Sequence, residues 1–381
     1  MVEENEKIKE FEKAFPGRVK KYVGYVHWWP YVRIAGEEGG AAVVVEPRDV
    51  QEVVAAVRLA YEMGLPINVY GGGSSVTGAS LPQGGVLLDL RALNRVRQVD
   101  VVNKLVIAEA GILLSELELQ LNSHGLTLGQ YPQSIDIATL GGYISTLGSG
   151  HSSTGFGSIE DVVSRLEVVV PPGKVLWTSY RRAPRSSMGP DLARLFLGAE
   201  GAFGIITAAE LKVRKLPRYT WKASFVFSDF KTGIRALADL IDEDLIPDMA
   251  RLYDEVESAY YFSSEGSVLV MTVGRKNDGV VNTYEKANSS VLTRYGRPSN
   301  PAFVDKALEE RARYREHLEK IEKMGLIVET AEVAAVWSEL EKLYDDMKYT
   351  LTSIDGVAMV SAHASHFYRQ GACLYFTILL K

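Results

Sequence analysis

The chain has 381 residues, a length that predicts two or three domains. Hydrophobic residues at 46% and charged residues at 24% exclude wholesale disorder, and a net charge of −6 excludes a globally basic nucleic-acid binder. A single cysteine, Cys373, excludes an internal disulfide framework and cysteine-rich zinc or iron–sulfur sites.

The opening stretch MVEENEKIKEFEKAF is charged and has no apolar leader core, so no signal peptide is expected. No apolar run reaches the length of about 18 residues that a membrane span needs, and a cytoplasmic location is expected. The sequon Asn288-Ser289-Ser290 reads as accidental. Ile8, Phe11 and Phe15 predict a short amphipathic helix over 5–15, ended by Pro16-Gly17. Residues 1–30 read as an N-terminal segment, and the aromatic stretch from Tyr22 to Tyr31 reads as a packed entry strap.

Strands and helices then alternate. Residues 42–45 form a β-branched strand, and Pro47-Arg48-Asp49 opens a helix with Val50, Val53, Val54, Val57 and Ala60 on one face. Gly64 and Leu65-Pro66 end it, and a strand at 67–70 completes a β–α–β unit with a right-handed crossover. A strand follows at 86–90, then a hairpin of 99–102 and 105–110 around Asn103-Lys104. Leu113, Leu114, Leu117 and Leu121 line the next helix, which Gly125 ends. After a stretch rich in Gly, Ser and Thr, from Gly141-Gly142 to Ser158, strands are expected at 166–170, 175–177 and 205–214. Composition changes near Leu216-Pro217. Beyond it come strands at 223–227, 268–273, 358–361 and 372–380, and helices at 233–241, 301–324 and 337–349. They predict a second α+β domain over 216–381, after a first domain over 31–215.

Three segments carry chemistry. The first, Tyr70-Gly71-Gly72-Gly73-Ser74-Ser75-Val76-Thr77-Gly78, directly follows a predicted strand. Glycines there permit positive φ and close backbone approach, and successive amides can form a nest for a phosphate or pyrophosphate. The competing reading is a turn whose glycines serve chain geometry alone. A Walker loop is excluded because Gly78 is followed by Ala79-Ser80, and a Rossmann fingerprint because the sixth position from Gly71 is Val76. The second segment runs from Pro132 to Thr146 and is dominated by small and hydroxylated residues. It suits either a backbone passing along a flat ligand or a buried irregular connection. The third is Gly198-Ala199-Glu200-Gly201-Ala202-Phe203-Gly204-Ile205-Ile206, with tight backbone at Gly201 and Gly204.

In order and spacing these segments resemble the FAD-binding domain of the vanillyl-alcohol-oxidase (PCMH-type) FAD-linked oxidase superfamily. The resemblance spans P-R-D-x-x-E-V-V, the G-G-G-[ST]-S-V loop, T-x-G-G, G-x-I-E-D-V-V at 157–163 and G-A-E-G-x-x-G-I-I-T. Pro184-Arg185-Ser186-Ser187-Met188-Gly189-Pro190-Asp191, Ala250-Arg251-Leu252-Tyr253-Asp254 and Gly371-Ala372-Cys373-Leu374-Tyr375-Phe376 are similar to motifs of the alkyldihydroxyacetonephosphate synthases, or alkylglycerone-phosphate synthases. The implied fold is α+β: a two-subdomain PCMH-type FAD-binding domain followed by an α+β cap domain that binds substrate.

The resemblance implies noncovalent FAD. Its diphosphate would lie on Gly71, Gly72, Gly73, Ser74, Ser75 and Val76, beside Tyr70. Ser134, Asp136, Thr139 and Gly142 would line it, as would Thr146 and Ser149, with Glu200, Gly201, Ile205 and Ile206 further along. In that family flavin N5 displaces the fatty acid of acyl-dihydroxyacetone phosphate, and a long-chain alcohol then replaces the flavin, giving an ether-lipid precursor. Arg251 would match the family's essential arginine and Tyr375 its acid/base tyrosine. On the residues alone, Arg251 reads as a surface salt bridge and Tyr375 as a packed strand tyrosine.

His363 and His366 form H-x-x-H, which reads as structural or substrate-contacting, with no metal implied. His366 is counted with the catalytic residues. His151 would face the flavin, and covalent attachment through it is the disfavoured alternative. The family's His-rich segment after the G-A-C-I-Y-F strand has no counterpart before Lys381, so the cap domain is read as lacking the family's C-terminal segment. An arginine of its T-R-A-S segment is Leu147 here. The expected partner is a small molecule bearing phosphate or carboxylate, not nucleic acid, with a homodimer or a completing subunit. The alternative functions are an FAD-linked oxidase or dehydrogenase of a D-2-hydroxy acid, and a non-catalytic or truncated flavin-binding protein.

Overall fold

The structure, a computed structural model, describes residues 2–22, 40, 43–78, 80–82, 84–180, 182–184 and 187–381. The aromatic strap beyond Tyr22, and Arg185 and Ser186 of the P-R-x-S motif, lie outside the described residues. The chain forms two compact units. One is Met1–Gly148 with Ser158–Lys215; the other is Ser149–Gly157 with Leu216–Lys381. The nine residues Ser149–Gly157, expected with the first domain, therefore cluster with the second.

In the first unit, β1 (Val19–Lys20), β2 (Val43–Val45), β3 (Ile67–Tyr70) and β4 (Val86–Asp89) form a sheet ordered β1-β2-β4-β3. The expected β–α–β unit is present, but its two strands are not neighbours: β4 lies between them, parallel to both. Asp49 caps the intervening helix, Val50–Glu62, by accepting from the Glu52 amide at 3.0 Å. Gly64, at φ +63, lets the chain leave that helix. Val53, Ala56, Val57 and Ala60 pack on Val43, Val45, Val86 and Leu88. β5 (Val96–Asp100), β6 (Leu105–Glu109), β8 (Val163–Val170), β9 (Lys174–Trp177) and β10 (Ile205–Lys212) make an antiparallel sheet ordered β5-β6-β10-β8-β9. The short strands β7 (Leu126–Thr127) and β11 (Arg214–Lys215) pair with each other. The helices Leu114–Ser123 and Leu140–Ser145 share the core of this part of the unit.

In the second unit, β12 (Tyr219–Phe227), β13 (Met249–Tyr253), β14 (Ser267–Arg275), β15 (Gly296–Pro298), β16 (Ile327–Val336), β17 (Val357–Tyr368) and β18 (Gly371–Leu380) form an antiparallel sheet ordered β15-β12-β14-β13-β17-β18-β16. Phe225, Phe227, Leu252, Leu269, Leu374 and Phe376 are buried on one face together with residues of the helices Phe230–Asp242 and Trp337–Thr352. Each such side chain contributes about 1.5–3 kcal/mol by leaving water. Because strand side chains alternate, Arg251 and Tyr253 flank Leu252 and point to the opposite face.

β13, β16 and the helices Glu255–Phe262 and Asp278–Leu292 were not among the predicted elements. The single charged helix expected over 301–324 is two, Ala302–Ala312 and Tyr314–Lys323. Asn288 is fully buried and donates to the Tyr284 carbonyl at 2.8 Å, so the sequon is out of reach in the folded chain.

Candidate functional site

The three small-residue segments meet within the first unit. The glycine bend leaves β3 and lies against residues 137–139. A methyl on Gly72 would stand 1.6 Å from the Ile137 carbonyl oxygen, and one on Gly71 would stand 2.2 Å from Thr139 Oγ1. Glycine is thus required there by close approach. Gly73 has φ +65, the left-handed region that glycine enters without strain. Among the described residues, the amides of Gly73, Ser74, Ser75 and Val76 donate to no backbone or side-chain acceptor. Ser75 Oγ is engaged by the bend itself, 2.9 Å from Thr77 Oγ1.

Thr139, buried, is the N-cap residue of helix Leu140–Ser145. Ser134 turns the chain ahead of it, its carbonyl accepting from Ile137 and Ala138 at 2.9 and 2.7 Å. Asp136, Gly142 and Thr146 are exposed, and Thr146 Oγ1 donates to the Gly142 carbonyl at 3.0 Å. The third segment docks on the same helix through Gly198 N to the Ile144 carbonyl (3.2 Å) and Glu200 N to the Ser145 carbonyl (3.1 Å). A methyl on Gly201 would stand 3.5 Å from Val69 of β3. Tyr70 is buried under the Arg91 guanidinium. The Ile205 and Ile206 side chains belong to hydrophobic cores, which leaves only their backbone for a ligand. Ser149 belongs to the second unit.

A second constellation lies in the second unit. Paired positions on adjacent antiparallel strands share a face, and the register lines up Tyr253, His363, Tyr375 and Glu332 across β13, β17, β18 and β16. The His363 and Tyr375 rings stack with centroids 5.0 Å apart. Arg251, two residues before Tyr253, lies over its ring at 5.0 Å. Arg251 is no surface salt bridge. Nη1 is 3.3 Å from His151 Nε2, Nη2 is 3.0 Å from His363 Nδ1, and Nε is buried without a partner among the described residues.

His151 reaches Arg251 because its short segment is clamped. Gly155 N donates to the Asp248 carbonyl at 3.1 Å, and the Phe367 amide donates to Thr154 Oγ1 at 3.1 Å. A methyl on Gly155 would stand 2.5 Å from Asp248 Cα. His366 sits at a bulge of β17 with φ +55, its Nδ1 buried and unpartnered among the described residues. H-x-x-H therefore lies on a bulged strand, and no group of three metal-ligating side chains occurs among the described residues.

The residues that complete this constellation escaped the sequence. Glu257, on helix Glu255–Phe262, lies 3.2 Å from His363 Nδ1 and 3.3 Å from Ser361 Oγ. Asp254 caps that helix. Its Oδ1 accepts from the Glu257 amide at 2.9 Å, and its Oδ2 accepts from the Ala362 amide and from Lys348 Nζ, both at 2.9 Å. One carboxylate thus fixes the backbone on both sides of the Glu257–His363 contact. The D-x-x-E spacing of Asp254 and Glu257 is a helix-start signature that could have marked the pair.

Electrostatics follow from burial. Burial raises the pKa of Tyr253 to about 12, against the pull of Arg251. Burial also raises Tyr375, against a hydrogen bond from Thr330 and the Arg251 charge. Tyr375 is therefore a phenol that holds its proton at neutral pH. Burial, then Arg251, lower His363, and burial brings His366 down to about 4. Glu257 resists burial: His363 and Arg251 hold it below the usual carboxylate range.

Comparison with known proteins places this geometry. Residues 41–179 match the FAD binding domain model, and residues 216–381 match that of the FAD linked oxidases, C-terminal domain. The chain belongs to the FAD-linked oxidase family. It is 31% identical to the alkyldihydroxyacetonephosphate synthase of Dictyostelium discoideum over 92% of this chain, and spans 63% of that relative's length. A solved alkyldihydroxyacetonephosphate synthase superposes with a TM-score of 0.82 at 27% identity, covering 99% of this chain and 81% of that one. A mitochondrial D-lactate dehydrogenase of Arabidopsis thaliana is 35% identical over 56% of this chain and 36% of its own.

The fold is therefore α+β, of the PCMH-type FAD-oxidase kind, and FAD is the cofactor that its domain family implies. The glycine bend fits that group: four consecutive amides without acceptors among the described residues, on a backbone set by close packing, suit a diphosphate. Among the described residues, no helix is long and apolar enough to cross a membrane.

Proposed function

We propose that the chain is an FAD-dependent catalyst of the alkyldihydroxyacetonephosphate synthase type, exchanging an acyl for an alkyl group on a phosphate-bearing ketone. The supporting observation is Arg251: a part-buried guanidinium faced by two imidazoles and an aromatic ring, whose buried Nε–H has no partner among the described residues. A buried donor without a partner costs about 1–3 kcal/mol, which an accepting phosphate oxygen would offset. The planar fork suits that oxygen better than a lysine would.

When bound, noncovalently in this reading, FAD supplies the nucleophilic, electron-accepting ring. The first unit's amides at Gly73, Ser74, Ser75 and Val76 bind its diphosphate. Arg251 binds the substrate phosphate, and His151 and His363 orient the guanidinium. Tyr375, keeping its proton at neutral pH, donates to the departing oxygen as a general acid. Purified protein should show a flavin spectrum and release alkyl product from acyl-dihydroxyacetone phosphate and a long-chain alcohol. Arg251→Ala should lower kcat/KM at least about 100-fold, the loss of one charge-assisted contact of about 3 kcal/mol, with FAD still bound. Turnover unchanged in that variant would refute the assignment.

The same guanidinium accepts a carboxylate, and the D-lactate dehydrogenase relative favours a second reading as a D-2-hydroxy-acid dehydrogenase. Flavin bleaching by D-lactate, with no product from the acyl ketone phosphate, would select it.

A further inference from the structure

His363 Nδ1 lies 3.0 Å from Arg251 Nη2 and 3.2 Å from Glu257 Oε2. One ring nitrogen cannot serve both. With a lone pair it accepts from the guanidinium; carrying hydrogen, it donates to the carboxylate. Arg251 keeps its protons throughout the accessible pH range. The decision therefore falls on the imidazole. The charged and titratable groups around it are Arg251 and Tyr253 on β13, Glu257 and Tyr261 on helix Glu255–Phe262, His366 on β17, Tyr375 on β18 and Glu332 on β16, with His151 beyond the guanidinium.

We propose that His363 is a two-position proton switch coupling anion capture at Arg251 to the Glu257 carboxylate. In the free protein, Nδ1 accepts from Arg251 Nη2, the single imidazole proton sits on Nε2, and Ser361 Oγ serves Glu257 at 3.3 Å. A ligand anion takes over the Nη2 donor. Nδ1 then gains a proton from water, Nε2 yields one to water, and the ring, still neutral, donates to Glu257. No proton is taken up overall. The result is a basic lone pair at Nε2 that exists only while an anion is held, so proton abstraction waits for substrate. Burial and the neighbouring guanidinium both disfavour the doubly protonated ring, which keeps the exchange between two neutral forms.

This inference rests on the reading that Arg251 holds the substrate's anionic group. The test uses the full chain labelled with nitrogen-15 histidine, the His363 signals assigned by comparison with His363→Gln, and inorganic phosphate as the probe. Phosphate binding is followed separately by phosphorus line broadening in wild type and Arg251→Ala. Without phosphate, Nδ1 should give the lone-pair signal and Nε2 the protonated one; at saturation the two should trade places. Arg251-dependent binding with unmoved nitrogen signals would overturn the switch and leave the anion site standing. A doubly protonated ring in the free protein would also overturn it. Absence of Arg251-dependent phosphate binding would overturn both readings.

Discussion

Replacing Gly72 with alanine puts a methyl where the Ile137 carbonyl oxygen now lies, so the bend and the 137–139 segment must part. The misfit should cost about 1–3 kcal/mol. More tellingly, flavin should no longer co-elute with the protein on gel filtration while far-ultraviolet dichroism stays unchanged; a full flavin complement would contradict the cradle. His366 yields a pH prediction. Its folded pKa of about 4 lies below the usual 6.5, chiefly through burial. The unfolded chain thus takes up a proton that the fold refuses, and the stability from this residue is full above pH 6.5 and is lost as pH falls toward 4. His366→Gln should keep about 2 kcal/mol more of its neutral-pH stability at pH 5 than wild type does. Parallel acid losses in denaturant melts would exclude this. At this scale Arg251 and Tyr375 stood out only through the family motifs they resemble, and His366 through its spacing from His363; on the residues alone Arg251 and Tyr375 read as ordinary structural side chains. Glu257 and Asp254 did not stand out, since their D-x-x-E spacing marks at most a helix start and says nothing of the strand register that brings Glu257 to His363.

Among elements, β13 was hidden by its shortness and by the buried residues that interrupt its alternation, Met249, Ala250, Leu252 and Tyr253 around Arg251. The helix Asp278–Leu292 was hidden by its Gly, Asn and Ser content, all weak helix formers. The break at Arg313 carries neither Gly nor Pro, so charge continuity concealed it. By contrast, Asp49 and Gly64 bounded their helix where cap chemistry said they would. Asp254 joins one helix start to the middle of β17, and its consequence is elemental. Asp254→Asn should leave Lys348 without its charge partner and destabilise by about 3 kcal/mol. Amide exchange should quicken in residues 255–262 and 360–364 ahead of the rest of the sheet. An unaltered denaturation midpoint would show that the carboxylate is not the hub described.

For the whole molecule, the family, the α+β class and the flavin domain could be read from the resemblance that the ordered small-residue motifs carry. The organisation of the second unit could not, since apart from the β17–β18 hairpin its antiparallel strands pair across intervening helices and long stretches of chain. Nor could sequence show that Ser149–Gly157 clusters with Leu216–Lys381 although first-unit chain flanks it on both sides. Covalent continuity and structural membership diverge at this nonapeptide. Severing the polypeptide at Leu216 would strand the imidazole of His151 on the wrong fragment. Recombination between relatives at that seam would pair an arginine from one parent with a histidine from the other. Cap exchange between such flavoproteins therefore needs two pieces moved together, and drift at residues 149–157 is tied to drift around Asp248, Arg251 and Phe367.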